Sequence, residues 1–432
     1  MKSLLKILIA VFAVCLIAPA FSAVENVKVG GDIAVYGVLR GDFKGTKNLH
    51  GVATIARVYV SADLSENVST MVRFINERVW GGKYDGQIYQ DYIGRGDIQL
   101  DLGYIKVKDL LTPGLTLTVG RQEIEFGEGL VIGSRYVANS REDVENKGYL
   151  SKDFLSFSDL GLQKAFDAVR LDYTIEPVSL TLIYSKILET LYETDYESNL
   201  YGMDIGFKLA DVVNVDVYYA GVDDIALYND NFRNLGILHT GGIRIVSGTP
   251  GVPGLSLKAE WAKQFGKDGN GYSYKGWALL AGIKYEIPAN MNPVIKLNYN
   301  RFSGDDGNTN AKENWFSVFP SNVGSRIGPL FYAFDAYNSK GDFANKGNLQ
   351  VINLGFGLNP TEKLGITLDA YWIDQLIGNY EFGYEVDLGF EYKYTEDLTF
   401  GVKGGKIFGG NYFGEVISSK PWQVLTYAKI AF

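Results

Sequence analysis

Cysteine is all but missing: the 432 residues hold one, Cys15. It lies within the apolar stretch 7–18, with Val14 before it and more apolar residues after it, which is not a lipoprotein arrangement. Past that stretch the chain has no thiol, which excludes disulfides, thiolate metal sites and cysteine nucleophiles together. Histidine is nearly as scarce. His50 and His239 stand far apart, and no serine or aspartate is placed to complete a catalytic set with either, so the sequence predicts no enzyme. Proline numbers only 11, and no Pro/Ser-rich linker divides the chain. Basic residues are in deficit, 41 against 50 acidic, which argues against a nucleic-acid partner. Beyond the N-terminus no apolar run approaches the ~20 residues of a membrane-crossing helix.

The N-terminus has its own logic. Lys2 and Lys6 precede the apolar stretch, and Ala18-Pro19-Ala20-Phe21-Ser22-Ala23 supplies small residues for cleavage. Residues 1–23 are therefore expected to be a Sec signal peptide, leaving one domain over 24–432. Its loss would leave 39 basic against 50 acidic side chains, a net charge of −11.

Alternation fills the rest. In 384–409, Val386, Leu388, Phe390 and Tyr392 fall on one face, and Asp387, Gly389, Glu391 and Lys393 on the other. After Thr395-Glu396-Asp397 the pattern restarts, with Phe400 and Val402 alternating with Thr399, Gly401 and Lys403. Successive strand side chains point to opposite faces, so this is a hairpin with one apolar and one polar face. Such strands average out in hydropathy, so a mean hydropathy of −0.03 is compatible with a membrane protein. The rich aromatic content, Tyr 29 and Phe 24, fits interfacial girdles, as does the placing of Trp80, Tyr104, Trp261, Trp277, Tyr285, Trp372 and Tyr392 near strand ends.

Alternation of this kind predicts strands over 27–40, 54–64, 68–80, 98–110, 115–125, 165–175, 178–188, 201–209, 213–222, 235–246, 255–265, 274–287, 293–303, 348–358, 364–374, 384–395, 398–408 and 423–432. Every second connection is short, among them Ser65-Glu66-Asn67, Thr112-Pro113-Gly114, Glu176-Pro177 and Asn359-Pro360-Thr361-Glu362. Those between are long and polar: 41–51, 81–97, 126–164, 304–347 and 410–422. The rhythm is that of an all-β, antiparallel transmembrane barrel of about eighteen strands, with short periplasmic turns and long outer loops. A final strand ending on Phe432 fits recognition by the barrel-assembly machinery. Strand signals begin near Val27, which leaves no room for the plug domain of an energised transporter. Segments 126–164 and 304–346 can either fold inward and narrow the channel or remain surface loops.

If the apolar faces meet lipid, parity assigns the lumen. Its predicted cations are Arg40, Arg57, Arg73, Arg170, Arg244, Lys208, Lys258, Lys284, Lys296, Lys393, Lys403 and Lys429. Its predicted acids are Glu77, Asp101, Asp172, Asp204, Asp216, Glu260, Glu286, Asp369, Asp387 and Glu391. Placing Arg or Lys at the lipid midplane instead would cost about 2–4 kcal/mol each. Arg170 with Asp172, and Glu391 with Lys393, are spaced to pair along one face. The charges can therefore be a paired lining of a wet lumen or a selective ladder.

Two stretches carry a family resemblance. Gly120-Arg121-Gln122-Glu123-Ile124-Glu125-Phe126-Gly127-Glu128-Gly129-Leu130-Val131-Ile132-Gly133, followed by Phe166-Asp167-Ala168-Val169-Arg170, is one; Ser303-Gly304-Asp305-Asp306-Gly307-Asn308, with 316–320 beyond, is the other. With the C-terminal strands, these resemble the bacterial alginate export family of outer-membrane channels. The resemblance implies an eighteen-stranded barrel, an arginine-rich lumen for a polyanionic polysaccharide, and a long loop that helps gate it. Arg121 and Arg170 match its motif. The chain departs in the many acids at inward positions, and Arg121 shares parity with outward Leu117 and Val119, so either a bulge re-aims it or it lies above the lipid band.

Other motifs are set aside. Asp305-Asp306-Gly307-Asn308-Thr309-Asn310 is not an EF-hand, because Ala311 and Ser317 stand where Gly and Glu belong. Gly127, Gly129 and Gly133 lack the strand-to-helix context of a dinucleotide fingerprint. The sequence-level expectation is an outer-membrane channel passing a charged or polar saccharide, with no cofactor and no metal. Its partners would be membrane lipid, the solute and periplasmic export machinery. The alternatives are a general diffusion porin and a closed scaffold barrel.

Overall fold

The computed structural model describes residues 25–432 except 44–47, 81–97, 134–157, 163, 190–196, 211, 225–235, 250, 339–346 and 414–418. The signal-peptide segment thus lies outside the described residues. Eighteen strands form one closed antiparallel barrel. They are β1 (Glu25–Gly41), β2 (Leu49–Asp63), β3 (Val68–Val79), β4 (Gln99–Val107), β5 (Leu115–Glu123) and β6 (Ala165–Ile175). Then come β7 (Val178–Glu189), β8 (Glu197–Ala210), β9 (Val213–Asp224), β10 (Gly236–Gly248), β11 (Leu255–Lys267) and β12 (Trp277–Glu286). The last are β13 (Val294–Phe302), β14 (Leu349–Thr361), β15 (Leu364–Gln375), β16 (Glu381–Lys393), β17 (Leu398–Phe408) and β18 (Trp422–Ala431). Each pairs with its neighbours in sequence, and β18 closes on β1 in a continuous register from Asp32 opposite Ala431 to Gly41 opposite Trp422. Closure leaves no unpaired sheet edge in lipid, which is the condition for crossing with strands. No helix among the described residues is long and apolar enough to cross.

Each expected strand overlaps one observed strand, and two, Ala165–Ile175 and Leu398–Phe408, agree residue for residue. The turn expected at 359–362 is tighter: β14 continues through Asn359 and Pro360 past an irregularity between Leu358 and Thr361. The Thr361 hydroxyl then accepts from the backbone N–H groups of Lys363 and Leu364.

The outer face is the apolar one. Val58, Val60, Phe74, Leu182, Ile243, Leu354, Leu388, Phe390, Phe400 and Val402 are all exposed there, where a lipid band would cover them. A second apolar cluster is inside. Segments 126–133 and 304–338 enter the barrel, and Phe126, Leu130, Ile132, Trp315, Phe319, Leu330, Phe331 and Phe334 pack against inward wall residues such as Leu238, Leu280, Phe302, Val351 and Ile407. Two short helices lie in the second segment, α1 (Val323–Ile327) and α2 (Pro329–Asn338). Of the two alternatives for these segments, the described parts thus take the inward one.

Candidate functional site

The site is the lumen, and its lining follows from strand parity. Residues paired across strands share a face, so exposed Val72 and Phe74 on the outside put Arg73, Ile75 and Glu77 inside. By the same reasoning Arg40, Arg57, Arg170, Arg244, Lys258, Lys284, Lys296, Lys393 and Lys403 face the interior. Arg121 stands apart from them. Its register partner is Asp167, and both continue the outward rows of Val119 and Val169 toward the long-loop end. Arg121 pairs with Asp167 at 3.0 Å there, beyond the level of exposed Tyr184. Gly120 takes a positive φ of 121°, yet the register runs unbroken from Val119 to Arg121, so no bulge turns the side chain inward; it sits above the lipid band instead.

Most inward cations are matched by acids. Arg57 pairs with Asp32 at 2.9 Å, Arg170 with Asp172 at 2.8 Å, Lys284 with Glu286 at 2.5 Å and Lys296 with Asp369 at 2.7 Å. Arg73 bridges Asp101 at 2.5 Å and Glu123 at 2.6 Å. Asp101 reaches this position because β4 carries one extra residue opposite the Arg73–Phe74 step, which turns Asp101 inward. Arg40, 1% exposed, pairs with Asp159 at 2.5 Å. Glu391 does not pair with Lys393; it accepts the Tyr427 hydroxyl at 2.8 Å. Lys393, Lys403 and Lys429 have no ion-pair partner among the described residues.

The glycine-rich stretch of the family resemblance folds into a tight turn inside the barrel and narrows the lumen there. Gly127 and Gly129 adopt positive φ of 60° and 70°, conformations that only glycine enters cheaply. A Cβ on Gly129 would overlap the Ser321 hydroxyl. The tight turn holds Glu128 out into the lumen. Its carboxylate takes Arg244 at 2.7 Å and Lys258 at 2.9 Å, while Arg244 also holds Asp216 at 2.8 Å. Burial opposes ionisation of Glu128, but these two cations outweigh it and hold the carboxyl below its ordinary range. The Glu128 backbone N–H donates to Glu260 at 2.7 Å, and its carbonyl accepts from the Arg326 guanidinium. Arg326 is buried, and desolvation lowers its pKa against the opposing pull of Glu260, Glu128 and Glu125.

Inward polar side chains pin the inserted backbone to the wall. Gln264 exchanges two hydrogen bonds with Phe316, at 2.6 and 3.0 Å. Asn300 donates to the Arg326 carbonyl at 2.9 Å, and Glu77 accepts from Leu162 N–H at 2.7 Å. Glu385, wholly buried, accepts from Leu330 and Phe331 N–H at 2.8 and 2.7 Å. Those two amides are unpaired donors of the first turn of α2, so a carboxylate of the wall caps the helix. Gln264, Asn300, Glu385 and Glu128 were not among the residues expected from sequence. Parity would have placed the first three inward, but it gives no hint that an inserted loop meets them.

Asp305 and Asp306 spend oxygens on the backbone N–H groups of Gly307 and Asn308, the arrangement of an Asx-rich loop rather than an EF-hand. His239 stacks on Phe265 and Tyr219 at the outer surface, with ring centroids 5.1 and 5.8 Å away. It belongs to an aromatic girdle.

Comparison with known proteins agrees with this architecture. The alginate export family model matches residues 44–381. Among solved structures, the chain resembles three Pseudomonas aeruginosa proteins. OccK8 (OprE) has a TM-score of 0.61 at 10% identity, covering 95% of this chain and 98% of that one. OccK3 (OpdO) has a TM-score of 0.60 at 10% identity, covering 95% and 97%. OpdQ has a TM-score of 0.60 at 12% identity, covering 94% and 99%. At such identities the likeness is one of fold. No curated protein sequence matches the chain.

Proposed function

The chain belongs to the alginate export family and is an outer-membrane channel, and from that premise we propose that it passes a charged or polar saccharide through its lumen by diffusion. The observation that carries this reading is the placing of Glu128 between Arg244 and Lys258, at a constriction built by an inserted segment. A solute passing that point can exchange its own carboxylate or hydroxyls for Glu128 on two cations, which replaces part of the solvation it loses. The other paired cations, Arg57, Arg73, Arg170, Lys284 and Lys296, supply a polar, nearly neutral path. Such a path suits hydroxyl-rich sugar with modest charge. A signal peptide over 1–23 would deliver the chain for assembly, and periplasmic export machinery at the short-turn end would present the saccharide.

The test is single-channel conductance of the refolded barrel in planar bilayers, with oligouronates and neutral oligosaccharides as blockers. Block by oligouronates at lower concentration than by neutral sugars supports the proposal. An open pore that neither class blocks would make it a general porin. A folded barrel that carries no current, even after deletion of 304–347, would make it a closed scaffold.

A further inference from the structure

We propose that the outer face of β9 to β13, at its long-loop end, binds a phosphorylated glycolipid of the outer leaflet. A notch at Gly241 takes a sugar ring, and Lys263, Lys275 and Arg301 take its phosphate. The site lies outside the barrel and is independent of what passes through the lumen. Its floor follows from strand parity. Tyr219 is paired with Gly241, Gly241 with Lys263, and Lys263 with Trp277, so the four form one row. Tyr218, Thr240, Ala262 and Ala278, one position from each, are buried, which turns the row outward. A Cβ on Gly241 would meet nothing within 4 Å. The row therefore has a gap there, bounded by Tyr219 and Lys263 across the sheet and by His239 and Ile243 along β10. The Tyr219 hydroxyl shares a hydrogen bond with His239 Nδ1 at 2.7 Å, and the two rings stack with centroids 5.8 Å apart. Fixed rings of this kind offer the apolar face on which the C–H side of a pyranose packs.

The charges stand beside the notch. The Lys263 ammonium donates to the Lys275 carbonyl, which holds it against the row. Arg301 points outward, since Leu297 is exposed while Asn300 and Phe302 are buried, and its guanidinium lies 5.6 Å from the Trp277 ring centroid. None of the three cations has an ion-pair partner among the described residues. The carboxylates of this face lie toward the loops. Asp223 stands opposite Ile237 on the loop side of His239, Asp374 accepts from Gln350 two strands beyond Arg301, and Glu313 accepts from the Thr309 hydroxyl at 3.0 Å. Lys275 repels Lys263 through space and Glu313 attracts it, so these two offset each other and the Lys263 charge stands. A cation on a lipid-facing wall is tolerated at the headgroup level, where it reaches phosphate. Exposed Ile243, Trp261 and Leu297 continue the face toward the membrane centre, where acyl chains would cover them. A free anion would use the cations alone, and a phospholipid the cations and the apolar band. A glycolipid also fills the notch.

The experiment is native mass spectrometry of the folded barrel released from detergent micelles. The probe is diphosphoryl lipid A, an acylated diglucosamine carrying two phosphates, with phosphatidylglycerol and inorganic phosphate for comparison. Lipid A should bind about tenfold tighter than phosphatidylglycerol, and inorganic phosphate should not displace it. Lys263→Gln with Arg301→Gln should weaken lipid A binding by about 25-fold, about fivefold for each charge lost. Lys263→Arg with Arg301→Lys should retain most of it, which separates loss of charge from misfolding. Gly241→Val fills the notch without changing charge, and should bring lipid A down to the level of phosphatidylglycerol while leaving phosphatidylglycerol unchanged. Lys393→Gln, on the lumen face, should bind as wild type does. Equal lipid A binding by wild type and the double Gln variant overturns the phosphate site. Equal affinity of wild type for the two lipids, or an unchanged preference in Gly241→Val, overturns the sugar notch. Displacement of lipid A by inorganic phosphate at equal concentration would reduce the site to one for free anions and overturn the lipid assignment.

Discussion

Replacing Glu128 by Gln removes one negative charge from the constriction and keeps its size. Arg244 retains Asp216 at 2.8 Å, but Lys258 loses its only ion-pair partner among the described residues. A unit charge about 5 Å from a permeating ion contributes roughly 0.8 kcal/mol when water fills the lumen. The change favours anions and disfavours cations by that amount each, so the anion-to-cation permeability ratio should rise by about tenfold at low salt. At 1 M salt, where screening acts over about 3 Å, most of the shift should vanish. Reversal potentials across a salt gradient measure both. The pH dependence gives a second reading of the same charge. Lys258 and Arg244 hold the folded Glu128 carboxyl below its ordinary range. Its ion pairs are thus intact at neutral pH, survive as pH falls through the unfolded carboxylate value of about 4.3, and are lost only below it. The difference in selectivity between wild type and Glu128→Gln, which isolates this charge from the other carboxyls of the lumen, should accordingly persist down to about pH 4 and close only at lower pH. A folded Glu128→Gln barrel with unchanged reversal potential would refute the constriction, and a shift that persists at 1 M salt would refute its electrostatic origin.

Other consequences can be checked in the same preparations. Leu388→Arg, on the lipid face, should destabilise the barrel by about 2–4 kcal/mol in a urea titration in vesicles, whereas Thr399→Arg, on the lumen face, should cost less than about 1 kcal/mol. Arg121→Ala should leave the reversal potential unchanged, because that side chain pairs with Asp167 on the outer face; a shift equal to that of Arg244→Ala would return Arg121 to the pore.

The wall was legible because a strand has a period of two and a barrel has only two environments. Arg57, Arg73, Arg170, Arg244, Lys258, Lys284, Lys296, Lys393 and Lys403 each sit one residue from exposed or lipid-level apolar neighbours, and each faces inward. Arg121 shows the limit of that rule. It continues the outward row of Leu117 and Val119, and the question was whether lipid still lay at its height; the structure places it level with Asp167, past the aromatic girdle. The interior was less legible. Helix α2 carries a local signal, Gly328 followed by Pro329 at the first helical position and then Leu330, Phe331 and Phe334 at helical spacing. What the chain does not spell out is that this apolar stripe finds its partners inside the barrel. That depends on inward wall residues, Leu280, Phe302, Val351 and Ile407, each of which reads as an ordinary strand residue.

Those apolar wall residues also decide which inserted part can move. A lumen open to water throughout would expose Leu238, Leu280, Phe302, Val351 and Ile407 at roughly 25 cal/mol for each square ångström uncovered. Segment 304–338 is therefore a fixed lining of the barrel, and Glu385 is its anchor. The wall facing the Glu128 side chain is different, since Asp216, Arg244, Lys258 and Glu260 are all polar and can be rehydrated when that side chain swings away. Hydrogen bonds exchanged for water cost about 0.5–1.5 kcal/mol each, within reach of a passing solute. Movement should thus be confined to the Glu128 side chain, while the flanking Phe126, Leu130 and Ile132 keep the turn in the apolar cluster. Glu385→Gln keeps one acceptor for two helix N–H groups and leaves the other unpaired, a loss of about 1–3 kcal/mol in the docking of α2. It should lower the urea midpoint and add current noise without altering the reversal potential, whereas Glu128→Gln should alter the reversal potential with little effect on the midpoint. If Glu385→Gln instead gave a quiet pore of larger conductance and unchanged stability, α2 would be the moving gate and the division drawn between the two segments would be wrong.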